Sequence, residues 1–190
     1  MPVSYRDLQA RLNRLAVSLL PTDKPFGGFM ESEEDRLQAY ILLVHAEIEH
    51  FLEELGKEVV QSAVRASTPT SCRPLVSRLI YLKTKGTMEI TRLDAALINS
   101  VTNFYEGVIE GNHGLKALHL MRLFMPLGLT HQDFDVVFLA NMEAFGRKRG
   151  GIAHGGTRLI QGTQPSTERA KVDDIASDLQ SLEITLRSLV

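Results

Sequence analysis

The segment Phe145-Gly146-Arg147-Lys148-Arg149-Gly150-Gly151-Ile152-Ala153-His154-Gly155-Gly156 concentrates the chemically capable groups of this chain. A guanidinium fork binds phosphate bidentately. An imidazole titrates near neutrality and can move a proton. Of the six histidines, His154 alone has an arginine five, six or seven positions before it: Arg149 at five and Arg147 at seven. Arg149 and His154 are therefore the candidate catalytic pair for metal-free phosphodiester chemistry. Arg147 and Lys148 bring charge for a substrate, and Gly150 and Gly151 let backbone approach one closely. The same three cations also suit the negative pole of a helix end. On spacing alone, a solvated helix terminus followed by a loop histidine competes with the catalytic reading.

Other candidates are weaker. A helix through residues 37–59 places His45 and Glu49 on one flank of its apolar stripe, a supporting role near a subunit seam, with solvated surface as the alternative. Glu47 with His50 and Glu110 with His113 are two Glu-x-x-His pairs, the spacing of a di-metal bundle. His50 points away from the stripe and Gly111-Asn112 interrupts the second pair, so neither a metal nor a cofactor is expected. Asn112-His113-Gly114 reads as a turn between helices. Cys72, the single cysteine, lacks a histidine–carboxylate partner for nucleophilic chemistry. No phosphate loop, dinucleotide fingerprint or serine elbow is present.

These residues need elements to hold them. The 190 residues suit one domain, residues 1–190, and 44% hydrophobic content supports a sizeable core. The formal charge of −2 argues against a surface coated for non-specific nucleic-acid binding. One cysteine excludes an intrachain disulfide. The amino-terminal stretch is broken by Arg6, Asp7, Arg11 and Arg14, and no run approaches 18 apolar residues. Neither a secretory signal nor a membrane span is expected, and the expected location is the cytoplasm.

Helical periodicity dominates. Leu8, Leu12, Leu15, Ala16 and Leu19 predict a helix over 4–20, closed by Pro21. Leu37, Ile41, Val44, Ile48, Leu52, Leu55 and Val59 share one face of a second, with Ser32 as its cap and Gly56 a cost near its end. Further helices are predicted over 74–83, from Arg92 to Glu110 capped by Thr91 and Asp94, over 114–125, and from Thr130 with Asp133 to Arg149. Gly150 and Gly151 are expected to end that helix, leaving His154 in a loop that reaches Pro165. Residues 157–162 read as briefly extended, and Thr167 and Glu168 as the opening of the last helix. The fold class is all-α: an antiparallel bundle of about six or seven helices.

The run Arg149-Gly150-Gly151-Ile152-Ala153-His154 resembles the Arg-x4-6-His motif of the HEPN superfamily, especially its bacterial RiboL-PSP-HEPN members. The stretches Ala39–Leu52 and Asn112–Lys116, with Leu127-Gly128-Leu129 following, fit in the same order. The resemblance spans about residue 30 to the end. It implies an all-α homodimer whose two Arg–His motifs face one another. It also implies metal-independent cleavage of RNA to 2′,3′-cyclic phosphate and 5′-hydroxyl ends, as a toxin or phage-defence effector, with a cognate antitoxin or other protein as partner. By that analogy His154 handles protons and Arg149 stabilises transition-state charge. Many active members carry Asn or Asp directly after the arginine, where this chain has Gly150. That departure favours the alternative, a non-catalytic module binding RNA, a nucleotide or a protein. A purely structural helical dimer is a third reading.

Overall fold

Ser4 starts the first helix by accepting the Asp7 backbone N–H at 3.2 Å, and α1 runs Tyr5–Leu19 with Leu8, Leu12, Leu15 and Ala16 buried. The computed structural model describes residues 3–25, 28–87, 93–155 and 163–190, and of residues 154 and 155 the backbone alone. The remaining helices are α2 (Glu31–Ala66), α3 (Pro74–Thr84), α4 (Ala95–Glu110), α5 (Ala117–Phe124), α6 (Val136–Gly155) and α7 (Pro165–Arg187). Single 3₁₀ turns at Met125–Leu127 and His131–Asp133 join α5 to α6. No strand forms among the described residues; one isolated bridge links Thr68 and Ser71. The expected helical bundle is the observed architecture. Within the described residues no helix is long and apolar enough to cross a membrane.

The second helix is the hub. Its 36 residues make a rod about 54 Å long at 1.5 Å per residue. It packs against each of the other six helices. Tyr40, Ile41, Val44, Ile48, Leu55 and Ala63 are wholly buried along it. Gly56 has a packing reason: an added Cβ would strike the hydroxyl of Tyr105, which crosses from α4 and donates to the Leu123 carbonyl at 3.0 Å. The glycine weakens the helix locally, and the buried tyrosine it admits ties α2, α4 and α5 together.

Several boundaries differ from expectation, each for a physical reason. Ser32 lies inside α2, because the Glu33 carboxylate reaches back to the Met30 N–H at 2.8 Å and starts the helix at Glu31. Asp94 caps α4 through the Leu97 N–H at 2.8 Å, which moves the start to Ala95; Thr91 and Arg92 lie outside the described residues. Gly114 takes a φ of 117° and gives its N–H to Glu49 of α2, so α5 begins only at Ala117. Thr130 and Asp133 close one 3₁₀ turn only. Asp135 opens α6 by accepting the N–H groups of Val137 and Phe138 at 2.7 and 3.1 Å. Pro165 occupies the first turn of α7, ahead of the expected start. The stretch 157–162, expected to be extended, lies outside the described residues.

The largest difference concerns the end of α6. The helix runs through Gly150 and Gly151 to Gly155, so the backbone of His154 is helical and not in a loop. Each glycine costs about 1 kcal/mol of helix propensity. Burying Ile152, which is 6% exposed, returns about 1.5–3 kcal/mol. That burial carries the helix past its local stop signal.

Candidate functional site

Three elements meet around one cleft. Helix α2 contributes His45 and Glu49, the α4–α5 connection and α5 contribute His113, Gly114, Lys116 and His119, and α6 contributes Gly146, Arg149 and Gly150. The cleft holds about 400 Å³ and is partly open to solvent. That volume suits a nucleotide-sized group. Gly146 lets the walls close: an added Cβ would lie 3.0 Å from Lys116 Cγ and 3.4 Å from its backbone nitrogen.

The sequence-expected supporting pair sits here. His45 is buried, its ring stacked on Phe145 of α6 with centroids 6.1 Å apart and planes 23° apart. Its Nδ1 lies 3.6 Å from Glu49 Oε2. Burial pushes the His45 imidazole below its ordinary value. The Glu49 carboxylate opposes this, and the charges of Arg149 and His119 reinforce it. Glu49 also accepts the Gly114 N–H and so fixes the turn that carries His113. His50 is exposed, as its place opposite the stripe requires.

The α6 cations separate into different environments. Arg149 is exposed and lines the cleft. Arg147 lies 71% exposed and pairs with Glu143, one turn earlier, at 2.9 Å. Lys148 points to the other side, 2.8 Å from the Glu168 carboxylate of α7, which also holds Lys171 at 2.9 Å. Glu168 is 1% exposed. Burial opposes its ionisation, but the two ammonium groups outweigh that and hold the carboxyl below its usual range. Lys148 therefore fastens α6 to α7 in this structure. Gly150 borders the cleft with open space where a Cβ would stand, and Gly151 is half-buried beside it.

On a continuous helix, residue positions 149 and 154 stand about 140° apart around the axis, and positions 147 and 154 about 20° apart. The His154 side chain lies outside the described residues. The cleft adds members that spacing rules did not flag. Lys116, His119 and Gly146 carried no site role in the sequence reading, and Lys116 and His119 meet Arg149 only through helix packing. His113 read as a turn residue. Its place in the turn holds, and the turn opens onto the cleft.

The family model for RiboL-PSP-HEPN matches residues 6–189, a longer span than the resemblance expected from about residue 30. No curated protein and no solved structure shows significant similarity to the chain. The match covers nearly the whole sequence, and of the Arg149–His154 motif on its late helix, Arg149 and Gly150 line the cleft just described. The chain belongs to the RiboL-PSP-HEPN family.

Proposed function

We propose that the protein is a metal-independent endoribonuclease of HEPN type that works as a homodimer in the cytoplasm. The observation that supports this best is the convergence of Arg149 with His45, His113, His119 and Lys116 around one cleft, in a family member carrying Arg149-x4-His154. An RNA strand lying along the cleft meets cationic and imidazole groups without a metal. In the reaction, the ribose 2′-oxygen forms a bond to the neighbouring phosphorus and the bond to the 5′-oxygen breaks. One proton leaves the 2′-hydroxyl and one arrives at the departing 5′-oxygen. His154 carries protons, and Arg149 neutralises charge growing on the non-bridging oxygens. Arg147, Gly150 and Gly151 border the strand, and Lys148 acts through its hold on α7. His45 and Glu49 position the cleft wall. A role as a toxin or phage-defence effector, with a cognate antitoxin as partner, follows from the same reading.

Purified protein in EDTA then cleaves RNA to 2′,3′-cyclic phosphate and 5′-hydroxyl ends. Arg149→Ala and His154→Ala each lower the rate by about 10²–10⁴-fold with the helical content kept. Equal cleavage by both variants would sink the proposal. Gly150 favours a second reading, a non-catalytic module that binds RNA, a nucleotide or a protein at the same cleft. Saturable RNA binding with no turnover distinguishes it.

A further inference from the structure

Behind the cleft, between α2 and the α4–α5 connection, lies a second cavity of about 10 Å³. That is room for one water or one dehydrated cation. Its polar wall groups are Glu49, Glu53, Asn112 and His119, set among four leucines, while His113 approaches from the side of the larger cleft. Glu49 and Glu53 stand one helical turn apart on α2. With His113 they offer three ligand atoms, all within 4.8 Å of one another. Two carboxylates so placed repel one another, and either a proton or a cation held between them relieves that repulsion.

A separate observation points to the same place. Asn112 is 5% exposed, and its Oδ1 has no hydrogen-bond partner among the described residues. The amide cannot turn to satisfy it, because Nδ2 donates to the His119 carbonyl at 2.9 Å. The Nδ1 atom of His119 is also buried without a partner among the described residues. A buried polar atom in a native fold normally finds one. The Glu-x-x-His pairs of the sequence are not the relevant grouping: the ligands come from two carboxylates of one helix and a histidine from the turn packed on it.

We infer that Glu49, Glu53 and His113 bind one divalent transition-metal ion of the zinc or manganese class, with Asn112 Oδ1 as a further oxygen donor. Mixed imidazole and carboxylate donors suit such ions, whereas magnesium prefers oxygen ligands and retains its waters. The ion ties α2 to the α4–α5 connection, the link that Glu49 already makes through Gly114. It braces one wall of the cleft and takes no part in phosphodiester cleavage. Its failure therefore leaves the ribonuclease proposal standing, and the reverse also holds.

The test is titration of metal-stripped full-length protein with Zn²⁺ by calorimetry and with Co²⁺ by visible absorption, with Mg²⁺ as control. His113→Ala removes an exposed side chain and leaves the helices intact; Glu53→Gln keeps the shape of its side chain. The expected result is one equivalent of Zn²⁺ or Co²⁺ per chain and no competition from Mg²⁺. Both variants weaken binding at least about tenfold, and saturating Zn²⁺ raises the wild-type Tm by about 5 °C. Absence of stoichiometric binding, or binding that both variants leave unchanged, would overturn the inference and leave a single bridging water as the occupant.

Discussion

His45 reports on the cleft from inside it. Its imidazole is held below the ordinary 6.5, mainly by burial, with Arg149 and His119 adding to the effect and Glu49 opposing it. The folded state therefore binds this proton less readily than the unfolded chain. The stability this group leaves intact above pH 6.5 is lost as pH falls from there towards the depressed folded value, and the loss then levels off. His45→Phe keeps the stack on Phe145 and removes the titration. Urea midpoints between pH 7 and pH 5 should fall less in that variant than in wild type. An equal fall in both would show that another group carries the dependence. Gly150 offers a second reading at this scale. Gly150→Asn enters open space and gains about 0.3 kcal/mol of helix propensity. On the ribonuclease reading it also restores a polar neighbour for Arg149. One new hydrogen bond worth about 1 kcal/mol in the transition state raises the rate about fivefold. An unchanged or lower single-turnover rate would mean that position 150 is not where assistance is missing.

At the scale of the elements, α6 is held between two partners. Its Arg149 side faces the cleft, and its Lys148 side is fastened to buried Glu168 on α7. Glu168→Gln keeps the shape but leaves the mostly buried Lys148 ammonium without its carboxylate, while exposed Lys171 stays hydrated, so it should lower stability by about 1–3 kcal/mol in urea denaturation. A loss below about 0.5 kcal/mol would show that the clamp is ornamental. The same helix shows where sequence reading works and where it stops. The α2 stripe from Leu37 to Val59 was legible because seven apolar residues repeat with the helical period over six turns, and periodicity is local. The end of α6 was misread because the Gly150-Gly151 stop signal is local, while the Ile152 burial that overrides it is tertiary. The late start of α5 has the same origin: Gly114 is held by Glu49, 65 residues away. Arg149, His45, Glu49 and Gly150 were legible as candidates from type and spacing. Lys116 and His119 were not, because three separate elements must fold before they share a space.

At the scale of the molecule, one rod organises everything. Because α2 touches every other helix, the cleft wall, the small cavity behind it and the main core all share its side chains. The proposed enzyme adds a second protomer, so that two Arg–His pairs serve one RNA strand. Arg149→Ala protein and His154→Ala protein are each expected to be inactive alone. The deciding measurement is the metal-free cleavage rate of the two variants unfolded together and refolded as mixed dimers, beside wild type treated the same way. A mixed dimer retains one guanidinium and one imidazole, contributed by different chains. The account predicts cleavage clearly above either parent variant. A mixture as inactive as its parents, beside an active wild type, would contradict a site shared between protomers.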